Sequence, residues 1–409
     1  MADMEAVLRS AIGGAVGVAN AHKPRIRSRT LTIPSFFSGW VTTEAAGLFL
    51  ARRVVHAALA ARRGGYSTAQ GRVALALDAV TVAGLVSLIQ QGRRTDEEFE
   101  AALAPLLGAE TLAARPSSVR KGAVVPLFTG SSKTRRIRNV GYVDDARWRN
   151  TLDVYEPKDG PVDVAGAARP AILQVHGGGW ILGDKTQQGI PLLNHMVQNG
   201  WVGFNTNYRL APKAKFPEQL IDCKRAVAWI RRNADELGVD PNFIAVTGGS
   251  AGGYLTAMLA LTANDPEFQP GFEDEDTSVQ AAVPFYGVYD IADANNAMVK
   301  GFVDFLSQVV VGSKYAEDAD RWHRYSPVHR VHADAPPMMI IHGTPDTLVP
   351  VEQARPFAEA MSKTSDHAVV YAELAGANHA FDIFPSPRSV RTTEYVERFL
   401  TGVHDGNIK

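Results

Sequence analysis

Apolar and polar positions along the chain fall into two textures. From about residue 138 onward, short β-rich runs recur at Ala171–Val175, Val202–Asn205, Phe243–Val246, Ala281–Pro284, Met338–Ile341 and Val369–Ala372. Helical patterns lie between them. Over Pro217–Leu237 the apolar residues Leu220, Cys223, Ala226, Val227 and Ile230 share one helical face, behind a proline suited to a first turn. A regular β-then-α alternation predicts an α/β domain with a mostly parallel sheet and helices on both faces. No repeat with a period of 20 to 50 residues is present.

The first 125 residues read differently. Phe36, Phe37 and Trp40 precede the Ala/Leu/Val stretch Ala45–Ala61, which Arg52, Arg53 and His56 interrupt. After Gly64-Gly65 comes Val73–Ile89, in which Asp78 is the single charge. A bilayer-spanning helix needs about 20 apolar residues, so this run is short and carries a costly carboxylate. It predicts a helical hairpin with one apolar face packed on the main domain. The competing expectation is a basic, amphipathic piece lying at a membrane surface. Glu97–Leu107 reads as a further helix, and Pro116-Ser117-Ser118 as the start of a linker. The chain thus divides into a helical region over 1–125 and an α/β unit over 126–409. An insertion over about 289–335 contains the apolar stretch Ala297–Val311, expected to be a helix that caps the carboxyl ends of the strands, with extra core as the alternative. Lys133–Arg138 and Glu273–Asp276 read as solvated loops.

Composition narrows the classes. Of 409 residues, 45% are apolar and 21% charged, ordinary for a folded enzyme-sized chain and unlike a disordered or fibrous one. Lys and Arg (42) nearly balance Asp and Glu (43), which argues against a nucleic-acid partner. The imbalance is local: residues 1–66 hold nine basic side chains against Asp3, Glu5 and Glu44. Asp3 and Glu5 also spoil the basic head that a secretory signal requires, and Ala11–Val18 is too rich in glycine for its apolar core, although Ala19-Asn20-Ala21 mimics a cleavage site. The lone Cys223 excludes an intrachain disulfide framework and suits a cytoplasmic, reducing setting, with membrane association through the N-terminal region as the variant. His329 and His332 have no third ligand in view, so neither metal nor cofactor is expected.

Four pieces of chemistry sit at strand ends. Gly248-Gly249-Ser250-Ala251-Gly252 follows the run Phe243–Val246 and opens the apolar helix Tyr254–Leu261. A serine on so sharp a strand-to-helix turn needs small neighbours, and the helix N-terminus behind it favours developing negative charge. His176-Gly177-Gly178-Gly179-Trp180 follows Ala171–Val175. Consecutive glycines let bare N–H groups converge on one point, as an oxyanion site requires. No phosphate-loop spacing is present, and His176 reads as a brace for the loop rather than a proton carrier. Asp346 and His379 each follow a later strand. A serine hydroxyl needs a histidine to take its proton, and the histidine needs a carboxylate to fix its tautomer. The order Ser250, Asp346, His379 is the nucleophile, acid, base order of α/β-hydrolases, with Asp382 as the rival carboxylate.

These residues resemble those of the α/β-hydrolase esterases and lipases of the hormone-sensitive-lipase type. The marks are HGGGW at 176–180, Tyr208-Arg209-Leu210-Ala211-Pro212, GGSAGG at 248–253 and NHAF at 378–381, and the resemblance covers about residues 140–402. It implies an α/β-hydrolase fold with Ser250 as nucleophile and Asp346 and His379 as its partners. It also implies the N–H groups of Gly178, Gly179 and Ala251 as the oxyanion hole, and Trp180 as a substrate-binding side chain. Two features depart from the pattern. Gly249 stands where that family usually carries aspartate, and HGTPDTLVP at 342–350 looks more like the acid loop of feruloyl-esterase- or formamidase-like hydrolases. The N-terminal region is similar to that of membrane-associated mycobacterial-type carboxylesterases.

The expected activity is that of a serine carboxylesterase on short- to medium-chain acyl esters. Amidase, formamidase or acyl-transfer chemistry could run on the same triad, and a non-catalytic hydrolase-fold binder is the reading from another class. A homo-oligomer is compatible with the sequence. No triad or oxyanion residue precedes His176, so the chemistry alone makes no demand on the N-terminal region.

Overall fold

The computed structural model describes residues 4–24, 31–113, 131–160 and 168–409. The expected linker at Pro116-Ser117-Ser118 and the boundary near residue 125 lie outside them. Helices α1 (Met4–His22), α2 (Thr32–Glu44), α3 (Ala46–Arg62), α4 (Ala69–Arg93), α5 (Thr95–Leu107) and α6 (Ala109–Ala113) come first. Strands β1 (Thr134–Gly141), β2 (Thr151–Pro157) and β3 (Arg169–Val175) follow, then α7 (Ile190–Gln198), β4 (Val202–Thr206), α8 (Glu218–Arg232), α9 (Ala234–Leu237), β5 (Val239–Gly249) and α10 (Ala251–Leu261). The chain continues through β6 (Ala281–Phe285), α11 (Phe302–Phe305), α12 (Ala319–Arg324), β7 (Met338–Gly343), α13 (Ala354–Thr364), β8 (Val369–Leu374) and α14 (Pro387–His404).

The eight strands form one sheet in the order β1-β2-β4-β3-β5-β6-β7-β8. β1 and β2 are antiparallel to their neighbours, and every pair from β4 to β8 is parallel. Alternation along the strands splits the core in two, because successive side chains leave opposite faces. Leu173 and Val175 of β3 join α8, α10 and α13 on one face. Ile172, with Met339 and Ile341 of β7, meets α7, α14 and α5 on the other.

All six expected parallel strands are present, and two further ones are not among the expectations. Lys133–Arg138 is not a loop: from Thr134 it belongs to β1, a sheet edge. Its charges hid the strand, since an exposed edge tolerates them and they find cross-strand partners. Arg135 pairs with Glu156, and Arg136 Nε donates to Asp153 Oδ2 at 2.6 Å. The expected helix over Ala297–Val311 begins only at Phe302, after Gly301 at φ 86°, and widens into a π turn over Leu306–Val311. Leu306, Val310 and Val311 are buried in the same cluster as the strand side chains, and Phe216 N donates to Val310 O at 2.8 Å. The insertion is thereby tied to the main core.

The N-terminal helices assemble into a bundle that packs on the eight-stranded sheet and its helices. The glycine-rich stretch that reads so poorly as a secretory core lies in α1, and glycine permits close contact between α1 and α4. A Cβ on Gly84 of α4 would collide with Val18 Cγ1 of α1. Asp78, the lone charge of the apolar run, is buried inside the bundle and held by Arg53 Nη1 at 2.8 Å and the Tyr66 hydroxyl at 2.6 Å. Its cost is met by a buried pair rather than by water. α5 fastens the bundle to the sheet. Phe99 stacks on Tyr395 of α14 at 5.0 Å, Arg391 Nε donates to Asp96 Oδ2 at 2.8 Å, and Ala375 N donates to Glu98 Oε1 at 3.1 Å.

One substitution made at two glycines tests this packing. A methyl group added at Gly13 would meet nothing within 4 Å, whereas one added at Gly84 has Val18 in its way. Gly13→Ala should stabilise the protein by up to about 1 kcal/mol through helix propensity. Gly84→Ala should destabilise by about 1–3 kcal/mol through overpacking. Thermal melts read the two signs, and equal signs would mean that close contact is not why glycine stands at 84.

Candidate active site

Ser250 is the single residue between Gly249, which ends β5, and Ala251, which opens α10. The turn between them forces Ser250 to φ 60° and ψ −121°, a strained conformation for a residue with a side chain. Neighbouring glycines allow it. A Cβ on Gly248 would lie 2.5 Å from Val175 O, and one on Gly252 would come closer still to the same atom. Ser250 N donates to Phe285 O of the adjacent strand at 3.0 Å, which pins the turn to the sheet.

The glycine turn after β3 lies against this serine. A Cβ on Gly177 would be 3.2 Å from Ser250 Cβ and 2.5 Å from Gly249 O. Gly178 (φ 123°), Gly179 (φ 59°) and Trp180 (φ 62°) all take positive φ, which turns the chain back on itself. Ile181 N and Leu182 N donate to Gly178 O at 3.2 and 3.1 Å, and Gly177 N donates to Gln188 Oε1 at 2.7 Å. Among the described residues, the amides of Gly178, Gly179 and Ala251 have no hydrogen-bond acceptor. His176 braces the turn from below, as expected. Its ring stacks on Tyr208 at 4.3 Å, and the Tyr208 hydroxyl donates to His176 O at 2.8 Å. Burial depresses the imidazole to a pKa of about 4, partly offset by its bond to Gly177 O, so it stays neutral at physiological pH. The Trp180 indole is 2% exposed and meets Tyr254 edge-on at 5.2 Å. The side chain thus backs the turn from the core, where the resemblance had implied a substrate-binding role for Trp180.

Asp346 and His379 sit on the loops after β7 and β8, beside each other in the sheet. His379 Nδ1 and Asp346 Oδ2 are 2.7 Å apart in a buried setting. The other oxygen, Oδ1, accepts from Leu348 N and Val349 N, each at 2.9 Å. Burial alone would raise this carboxyl, but His379 and His342 more than offset it and hold the pKa at about 2. His342, set aside as a base because it lies so near Asp346 in sequence, is a buried neighbour of that carboxylate: its Nε2 is 3.5 Å from Oδ2 and 2.8 Å from Val349 O.

The rival Asp382 has another partner. The Tyr286 hydroxyl donates to Asp382 Oδ1, and burial pushes that carboxyl upward. Tyr286 also joins the two halves of the site. Its ring lies 4.5 Å from the His379 ring, and a Cβ on Gly249 would lie 2.5 Å from its hydroxyl oxygen. One side chain therefore spans from the residue before Ser250 to His379. It also gives the missing aspartate at 249 a physical reason, because Tyr286 fills the space. Sequence reading overlooked Tyr286; its φ of 36° at the end of β6 is visible only in the structure.

Phe36 and Trp40 of α2, aromatics that the sequence made candidates for an interfacial surface, have a different partner. Both are buried, at 7% and 9% exposure, against Ala380 of the histidine loop. They are not free to serve as membrane-facing aromatics; Phe37, at 53%, is the exposed one of the three. Among the described residues no cluster of three or more His, Cys, Asp or Glu side chains could hold a metal.

Comparison with known proteins agrees with this architecture. The BD-FAE family model matches residues 152–361. The chain is 38% identical over 403 residues to the probable carboxylic ester hydrolase LipM of Mycobacterium tuberculosis, covering 95% of this chain and 91% of that one. It is 40% identical over 315 residues to the esterase LipC of the same organism, covering 76% of each. Among solved structures, the thermophilic esterase Est2 of Thermogutta terrifontis superposes with a TM-score of 0.54 at 28% identity, over 68% of this chain and 94% of its own. Est2 has also been captured with propionate, with butyrate and phosphonylated by sarin. With the family model spanning half of the chain and LipM matched nearly end to end, the protein belongs to the BD-FAE family of α/β-hydrolase carboxylic ester hydrolases.

Proposed function

We propose that this protein is a serine carboxylesterase that cleaves short- to medium-chain acyl esters through an acyl-enzyme. The observation that carries this reading is the buried 2.7 Å contact between His379 Nδ1 and Asp346 Oδ2, at the same carboxyl end of the parallel strands as Ser250 on its strained turn. Asp346 fixes the tautomer that leaves Nε2 free to accept a proton. Ser250 Oγ attacks the ester carbonyl carbon and its proton passes to His379 Nε2. The resulting oxyanion lies among the N–H groups of Gly178, Gly179 and Ala251, at the positive end of α10. Collapse of this intermediate breaks the C–O bond, and the leaving alcohol takes the proton from His379. Water then attacks the acyl-enzyme by the same route, releasing the acid and restoring Ser250. Trp180 holds the glycine turn in place from behind. The propionate and butyrate complexes of Est2 support a short acyl group.

A peripheral contact with anionic membrane is a second reading, favoured by one observation. Most large apolar side chains left exposed fall between residues 12 and 86, interleaved with exposed Arg52, Arg62, Arg63 and Arg72. The helical stretch Ala69–Leu107 is long and apolar enough to cross a membrane, and 28% of its most apolar window is buried. Its packing on α1 and α3 and the buried Arg53–Asp78 pair suit a helix lying at an interface rather than one spanning it.

Ser250→Ala should abolish ester hydrolysis, lowering kcat on the order of 10⁶-fold with the fold intact. A panel of p-nitrophenyl esters and the matching anilides reads both this loss and the ester-over-amide preference. Residual activity above about a tenth of wild type would remove Ser250 from the mechanism. Asp346→Asn should lower kcat by about 10⁴-fold, with Asp382→Asn much milder. Interchanged magnitudes would make Asp382 the acid. For the membrane reading, the protein should sediment with phosphatidylglycerol vesicles at low salt and be released as salt rises, each basic residue contributing about 1 kcal/mol. Arg52→Gln together with Arg62→Gln and Arg63→Gln should weaken binding; a wild-type protein that stays in the supernatant at low salt contradicts this reading.

A further inference from the structure

The N-terminal region supplies none of the groups assigned to acyl transfer, yet one face of α2 lies along the loop that carries His379. Phe36 presents its ring edge-on to the His379 imidazole, centroids 6.1 Å apart. One turn later, Gly39 passes so close that a Cβ there would lie 3.0 Å from Asn378 Nδ2. The Asn378 Oδ1 in turn accepts from His379 N at 2.8 Å. Trp40 Nε1 donates to Ala380 O at 2.9 Å, and its ring stacks on Phe384 at 5.1 Å. At the end of the helix, Glu44 Oε2 accepts from the Ser386 hydroxyl at 2.5 Å, and Glu44 Oε1 lies 3.5 Å from Arg388 Nε. Positions 36, 40 and 44 recur every four residues, so a single helical stripe grips residues 378 to 388.

The grip falls where the loop is strained. Ala380, next to His379, has φ 59°, an unfavourable region for alanine. Such a conformation persists only when its surroundings over-determine it, and the buried bond from Trp40 to its carbonyl does so. Tyr286 also touches the imidazole, so His379 is contacted both by a helix of the N-terminal bundle and by a side chain at the end of β6.

We infer that Trp40, seconded by Phe36, is a positioning residue for the reaction: α2 holds the His379 loop in the geometry that lets the imidazole serve Ser250. The N-terminal bundle is then a working part of the active site, not an appendage to it. This inference rests on the reading of His379 as the general base.

The test uses the full chain. Trp40→Phe keeps an aromatic ring but removes the N–H donor; Phe36→Leu keeps apolar volume but removes the ring edge. Each should lower kcat for p-nitrophenyl butyrate about ten- to a hundredfold, because small misplacements of a catalytic group cost that much. KM should stay within about twofold, since the loss falls on the chemical step. Labelling of Ser250 by a fluorophosphonate, which also needs the histidine, should slow by the same factor. Val41→Ala, at an exposed position on the same helix, should leave kcat and labelling unchanged. Active-site titration separates positioning from a partly unfolded sample. A full count of active sites with reduced kcat per site supports the inference, and a reduced count with normal kcat per site overturns it. Wild-type kcat and labelling in Trp40→Phe also overturn it. If His379→Asn itself keeps wild-type activity, the failure belongs to the triad reading instead.

Discussion

The contact between His379 Nδ1 and Asp346 Oδ2 is the one on which the remaining structure converges. A carboxylate in so buried a place survives only if its lone pairs are answered. Two backbone amides, His342 and His379 answer those of Asp346. The two loops that meet there end adjacent parallel strands, so the register of β7 against β8 sets the distance. Ser250 follows the carboxyl end of β5, two strands from β7, and Phe285 O at the end of the intervening β6 holds its backbone N–H. The architecture of the sheet thus brings three distant sequence positions to the carboxyl ends of neighbouring strands.

Glycine plays a distinct part at these strand ends. Around Ser250 the backbone of three segments comes within contact distance, and methyl groups at 177, 248 or 252 would collide with main-chain oxygen atoms. The absence of side chains lets the glycine turn, the serine turn and the strand ends approach to within contact distance of one another. At 249 the reason differs, because the intruding atom belongs to Tyr286. The departure from the hormone-sensitive-lipase pattern at that position is a local exchange: a tyrosine from the end of β6, bonded to Asp382, stands where the aspartate of that pattern would otherwise reach.

What could be read from the sequence follows from where free energy is concentrated. The parallel strands are buried on both faces and show as continuous apolar runs, so Ala171–Val175 and Met338–Ile341 were legible. The serine and glycine turns carry local constraints that leave local signatures. β1 was illegible because an edge strand keeps its charges, and the start of the helix at Phe302 was masked by apolar residues that precede it without helical geometry. α1 was hidden by glycines, which weaken helix propensity. The aromatic cluster of α2 was visible, but its partner was not. Phe36 and Trp40 contact residues at least 340 positions away, and nothing in their own neighbourhood distinguishes a catalytic-loop contact from a lipid contact.

The central claim is that Ser250, activated through His379 and Asp346, is the sole covalent nucleophile. Inactivation with diethyl p-nitrophenyl phosphate, followed by peptide mapping, tests it most directly because the phosphorylated serine does not turn over as an acyl-enzyme does. The account predicts one phosphoryl group per active chain, carried by Ser250, with loss of activity in proportion to the label. Complete inactivation with the label on another residue, or with Ser250 unmodified, would contradict it.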